Sequence, residues 1–309
     1  MSRSRTPSGL PLTVALLLCL IGCADSVQTT DTDDAAPSPV PAIGEHSWTT
    51  PDGNRIPYSV AGKADAEVTV VLTHCWMCDR SFWDAQLPAL ADDYRTVTFD
   101  LPGHGKATGE RTNWSVGGYG EDLAGLIREL GLPEVVLVGH SMGGPVSLRA
   151  AALLSDVTVH GIVAVETLHN ADFEFSGEQM EAFMRAFEAD FVGTCEDFVD
   201  QMFVEEDVEP IIEKVRRIGC DETRSRVGTA LMRDFGSIDM PAWFREAGAP
   251  IRAINAAAPN PTNVEANRKY ADFDAVLVEN VGHYLHMTRP QTFNPRMLEA
   301  ISALVDPSP

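Results

Sequence analysis

The sequence has no apolar run long enough for a comfortable membrane crossing. Its longest, Leu10 to Ile21, stops at about a dozen residues. Basic side chains are scarce, 23 against 45 acidic, which leaves a net charge of −22. Such a surface repels phosphate backbones, so nucleic acid is not an expected partner, and the plain role of the charge is solubility. No second C-x-x-C and no spaced histidine pair accompanies Cys75-Trp76-Met77-Cys78, so nothing completes a zinc-type site. The same four residues lack a thioredoxin-like setting, and no redox chemistry is assigned to them. There is no internal repeat, which sets aside solenoids and propellers. What is present is ordinary globular material. Of the 309 residues 44% are hydrophobic, enough to fill the core of one large domain with room for an insertion.

The N-terminus reads as an export signal: Arg3 and Arg5 precede the apolar run, which ends in Leu20-Ile21-Gly22-Cys23. This ending resembles the lipobox of bacterial lipoproteins. The resemblance implies a signal peptide over residues 1–22, lipidation of Cys23, and an exported protein held on a membrane by its acyl chains. Residues 23–44 are rich in Asp, Thr, Ser and Pro and are expected to form a disordered tether.

From about Glu45 the pattern alternates. Glu67–Thr73, Arg95–Phe99, Val135–Val138 and Gly161–Val165 are short strand-like runs. Helical spacing falls between them at Phe82–Ala91, Tyr119–Leu130 and Met142–Leu154. Such alternation implies a mostly parallel sheet with helices on both faces. The strand signal stops over 167–249, where Met180, Phe183, Met184, Phe187 and Phe191 share one helical face. It resumes at Ile251–Ile254 and Ala275–Val278, and a helix over Gln291–Leu304 starts behind Pro290. The expected organisation is a core of residues 45–166 and 250–309 with a helical cap of 167–249 inserted. The aromatic and methionine stripe would form the cap's core or line a pocket. Cys195 and Cys220 both fall in this cap and could pair in an oxidising compartment.

Gly139-His140-Ser141-Met142-Gly143 matches G-x-S-x-G between an apolar strand and a helix, the setting in which a serine is pushed out of a sheet on a sharp turn. Three further motifs accompany it in order: His74-Cys75-Trp76, Asp100-Leu101-Pro102-Gly103-His104-Gly105 and Gly282-His283. With these, residues 45–305 resemble the α/β-hydrolase family. The resemblance implies a serine nucleophile at Ser141, its base at His283, and an oxyanion hole made by the backbone N–H groups of Trp76 and Met142. It assigns Asp100 to turn-holding. Asp79 and Arg80 would pair to hold the oxyanion loop. His74, His104 and His140 would orient their loops. Cys75 stands where the family usually has glycine, so the loop is either strained or narrowed there.

The usual aspartate after Ile251–Ile254 is missing, since that loop reads Asn255-Ala256-Ala257-Ala258-Pro259-Asn260. Some relatives carry the acid at the end of the preceding strand, where this chain has Glu166. Alternatives are Asp172 or a dyad supported by Asn260. The expected activity is cleavage of an ester-like acyl bond in a small, moderately apolar molecule, without cofactor or metal. Lactone, thioester, perhydrolase or carbon–carbon chemistry could use the same groups, and a non-catalytic binding lipoprotein could keep the fold.

Overall fold

A computed structural model describes residues 43–173, 177–205 and 207–306. The expected signal peptide, Cys23 and nearly all of the tether lie outside these residues. In chain order the elements are β1 (Gly44–Thr49), β2 (Arg55–Gly62), β3 (Thr69–Thr73), α1 (Leu87–Leu90), β4 (Arg95–Phe99), α2 (Val116–Glu129), β5 (Glu134–His140), α3 (Gly143–Leu153) and β6 (Thr158–Val165). There follow α4 (Gly177–Ala189), α5 (Phe191–Asp200), α6 (Glu209–Gly219), α7 (Ser225–Phe235) and α8 (Met240–Ala247). The chain closes with β7 (Ile251–Ala256), α9 (Val264–Arg268), β8 (Phe273–Val278), α10 (Leu285–Thr288) and α11 (Pro290–Val305).

The eight strands form one sheet in the order β1-β2-β4-β3-β5-β6-β7-β8. The β1–β2 and β2–β4 pairs are antiparallel and the rest parallel. Continuous apolar runs become the central strands because both their faces are covered. Val71, Leu137 and Ile162 point toward α2 and α3, into a core with Leu123, Ile127 and Val146. Val70, Leu72, Val136, Val138 and Val163 point the other way, against Leu90, Phe293, Met297 and Ile301.

Chain order reverses at β3, which has β4 on one side and β5 on the other. At such a switch point the loops leaving the carboxyl ends diverge and open a crevice. The loop from His74 and the turn at Ser141 therefore begin side by side, on the paired residues Thr73 and Gly139.

The helix expected over Phe82–Ala91 is instead a 3₁₀ turn, Arg80–Trp83, and the single-turn α1. Pro88 has no N–H for an intrahelical bond, which separates the two pieces. Helices α4 to α8 fill the stretch between β6 and β7 for which a cap is expected. Met184, Phe187, Phe191 and Phe198 are buried there, so the apolar stripe packs as core, continuous with the core beneath α2 and α3. Cys195 and Cys220 form a disulfide that ties α5 to the end of α6. Among the described residues no helix is long and apolar enough to cross a membrane.

Candidate active site

Ser141 follows β5 directly with φ +53°, a left-handed conformation uncommon for a side chain with Cβ. The two flanking glycines make the turn possible. A Cβ on Gly139 would lie 2.2 Å from the Gly143 carbonyl oxygen, and one on Gly143 would lie 2.4 Å from the Thr73 carbonyl oxygen. The Ser141 N–H donates to Val165 O at 3.0 Å, which pins the turn to the end of β6.

Glu166 is the next residue after β6, also left-handed at φ +48° and only 5% exposed. Its Oε2 lies 3.2 Å from His283 Nδ1, and its Oε1 accepts from the Ala256 N–H. Burial alone pushes the Glu166 carboxyl up. The hydrogen bond and charge of His283, the nearby His169 and the Ala256 N–H outweigh it and hold the group below its ordinary range. His283 is 4% exposed. Its N–H donates to Met202 O at 2.7 Å, and its carbonyl accepts from His140 Nε2 at 2.9 Å. The residue just before Ser141 thus props the backbone of His283. Since a carbonyl can only accept, His140 carries its proton on Nε2.

The third cluster is the loop after β3. His74 Nε2 accepts from the Leu101 N–H at 3.0 Å, so its proton sits on Nδ1, which donates to Cys75 O at 2.8 Å. Trp76 packs its ring against Phe187, Phe191 and Phe198 and donates from Nε1 to Gly228 O in α7. Among the described residues, neither the Trp76 nor the Met142 backbone N–H is taken up by a hydrogen bond. Glycine is not required at position 75, because the left-handed residue in this loop is Met77 at φ +55°. Cys75 and Cys78, whose spacing alone carries no redox chemistry, form a disulfide.

Asp100 is buried and accepts from the N–H groups of Arg80 and Lys106, bracing the turn that follows β4. The expected Asp79–Arg80 pair gives way to other partners. Asp79 caps the 3₁₀ turn through the Ser81 N–H, and Arg80 reaches Glu45 at 2.7 Å. Asp172 is engaged by Lys269 and Tyr270 on the surface, away from His283. Asn260 lines a cleft of about 80 Å³ together with Glu166, His169 and His283. Asn255, where the family's aspartate is absent, bonds Thr167 and Thr262 and so ties the loop after β6 to β7. Sequence reading missed the supports from Met202 O and Ala256 N–H because backbone groups carry no residue-type signal. Among the described residues no cluster of three or more His, Cys, Asp or Glu forms a metal site.

A model of the alpha/beta hydrolase family matches residues 70–296. The chain belongs to this family. Among curated relatives, the hydrolase is 24% identical over 271 residues to the 2-(acetamidomethylene)succinate hydrolase of Mesorhizobium japonicum, covering 82% of this chain and 94% of that protein. In fold it is similar to a thermophilic esterase from Thermogutta terrifontis, with TM-score 0.71, 22% identity, and coverage of 85% of this chain and 99% of that one. It is similar also to an esterase from Exiguobacterium antarcticum, with TM-score 0.72, 17% identity, and coverage of 84% and 100%. Every sequence-derived site residue of this hydrolase except Cys23 falls in a loop or turn at the carboxyl edge of its sheet.

Proposed function

We propose that this hydrolase is a serine esterase that forms an acyl-enzyme on Ser141. The observation that carries the reading is the buried Glu166–His283 pair, propped by His140 beside a left-handed serine. Ser141 Oγ attacks the acyl carbonyl carbon and passes its proton to His283 Nε2. The N–H groups of Trp76 and Met142 receive the oxyanion, each worth roughly 3–4 kcal/mol of transition-state stabilisation. His283 then returns the proton to the departing alcohol. Water repeats the sequence to release the acid. Glu166 accepts the His283 Nδ1–H, fixing the tautomer and stabilising the imidazolium.

The cleft beside His283 is lined by Met202, Phe203, Val204 and Val281, which favours a small, moderately apolar acyl or alcohol group. Esters of rising chain length turned over without preference would count against it. We also propose that the protein is exported and held on a membrane through lipid on Cys23. The Cys75–Cys78 and Cys195–Cys220 disulfides suit the oxidising compartment this requires.

One mass-spectrometric experiment addresses both proposals. After treatment with a fluorophosphonate, peptide mapping is expected to find the label on Ser141 in the native protein and none in His283→Ala. A folded protein that takes no label sinks the serine reading. The same mapping on membrane-extracted protein is expected to find acylated Cys23 as the first residue, and an unmodified Cys23 sinks the anchor.

A further inference from the structure

We infer that the Cys75–Cys78 disulfide is a positioning element of the oxyanion hole, so that turnover depends on this bond being intact. The inference rests on the serine esterase reading above and adds to it a requirement on one loop.

A single peptide plane sets the aim of the Trp76 N–H. The Cys75 carbonyl and the Trp76 N–H belong to the same trans peptide and point in opposite directions. Whatever fixes the carbonyl therefore aims the N–H. Two donors converge on that oxygen: His74 Nδ1 at 2.8 Å and the Cys78 N–H at 3.3 Å. The second bond is long, and it closes a turn whose third residue, Met77, sits at φ +55°. A left-handed methionine is disfavoured by its Cβ and returns to negative φ unless its surroundings hold it. The disulfide, joining residues 75 and 78 across a Cα–Cα distance of 5.2 Å, supplies that restraint on the backbone, beside the packing of the fully buried Met77 side chain near Gly228. Its ring encloses Trp76 and Met77 and nothing else. From outside, the Trp76 ring is held in α7 through Gly228 O, and Gly143 packs against the Thr73 carbonyl just before the loop. The loop is thus fixed at its start and at its aromatic tip, and the disulfide governs the turn between them.

A dithiol can open this ring. One of its thiolates displaces a cysteine sulfur to give a mixed disulfide. Its second thiol then closes on the first, leaving two cysteine thiols and a cyclic disulfide. Two electrons and two protons pass to Cys75 and Cys78. With the ring open, Met77 relaxes, the peptide plane turns, and one of the two oxyanion donors is misaimed.

The test compares the oxidised protein, the reduced protein and the Cys75→Ser/Cys78→Ser and Cys195→Ser/Cys220→Ser variants on a nitrophenyl ester. Cys75 and Cys78 are only 2% and 1% exposed, so reduction is verified by alkylation and mass spectrometry. The two routes complement each other, since the reduced wild type needs no refolding and the variant needs no reagent access. Loss of the 75–78 bond is expected to lower kcat roughly 10–100-fold with KM within about twofold, as a weakened oxyanion donor does. Inhibition by a trifluoromethyl ketone, whose serine adduct carries an oxyanion, weakens by a similar factor, while binding of the product acid stays unchanged. Reoxidation restores kcat, and the Cys195→Ser/Cys220→Ser variant keeps it. Unchanged kcat without the bond overturns the inference. So does a fall in kcat with ketone inhibition unaffected, which would mark the bond as structural only. An oxidised protein with no turnover and no label on Ser141 defeats the esterase reading and this inference together. Labelled Ser141 with redox-insensitive kcat defeats only this inference.

Discussion

At the scale of single residues, two left-handed positions stand out. Ser141 and Glu166 each follow a central strand, and the Ser141 N–H reaches back to the residue just before Glu166. Backbone strain of this kind persists only where neighbours over-determine it, and it clusters at sites of chemistry. In the proposed mechanism Glu166 works through His283 Nδ1, so its removal would leave the proposed nucleophile in place but free the imidazole's tautomer and orientation. Glu166→Gln is expected to lower kcat by roughly 10³–10⁴-fold with KM little changed, measured by steady-state ester hydrolysis. Activity within tenfold of wild type would move the acid elsewhere. Legibility at this scale was uneven. Ser141 and His283 stood inside motifs whose setting could be read from the chain. Glu166 could be located only by noticing that 255–260 holds no acid. The Met202 and Ala256 contacts join segments far apart in sequence through their backbones and left no trace in residue type.

Among the elements, the parallel strands were legible because their β-branched runs are covered on both faces. The antiparallel edge was not. β1 alternates half-buried and exposed positions, and β2 contains Pro57, whose missing N–H argues against a strand when only the sequence is in hand. The helical segment showed its stripe of Met and Phe, but its internal tie could be read only as a possibility. Cys195–Cys220 closes a loop of 25 residues between α5 and the end of α6. Chain-entropy arguments give such a closure about 3.5 kcal/mol. Cys195→Ser/Cys220→Ser is therefore expected to lower the stability of this segment by about that amount, seen as an earlier phase in thermal unfolding. A melting curve superimposable on wild type would show the tie to be idle.

For the molecule as a whole, acid should act mainly through buried histidines. His74, His104, His140 and His286 are all fully buried, and burial holds each below its ordinary value, His286 at about 3. A group whose folded value is depressed takes up protons first in the unfolded chain. Its contribution is complete above the unfolded value near 6.5 and is lost as pH falls toward the folded value. Glu166 follows the same sign but begins only below its ordinary 4.5. The melting temperature is therefore expected to hold above neutrality and decline from about pH 6.5 downward. His286→Phe should flatten that decline by about one proton, or roughly 1.4 kcal/mol per pH unit. Its ring already packs at a tilt against Trp83 and His140, and neither ring nitrogen has a hydrogen-bond partner to lose. An unchanged pH profile in that variant would assign the acid sensitivity to other groups.

The location of Glu166 at the end of β6, and not beyond β7, has a consequence for how such a chain can diversify. The proposed nucleophile, its acid and both oxyanion donors are encoded without interruption between His74 and Glu166. Only His283 arrives from beyond the helices. A foreign helical segment spliced between β6 and β7 would therefore inherit an intact proton relay, provided it offered a carbonyl where Met202 now receives the His283 N–H and a seat for the Trp76 indole. Specificity becomes a transplantable part, inherited together with the contacts through which it docks on the host, among them Lys214 to Ser81 O, Arg224 to Gly105 O and the Val116 N–H to Asp234.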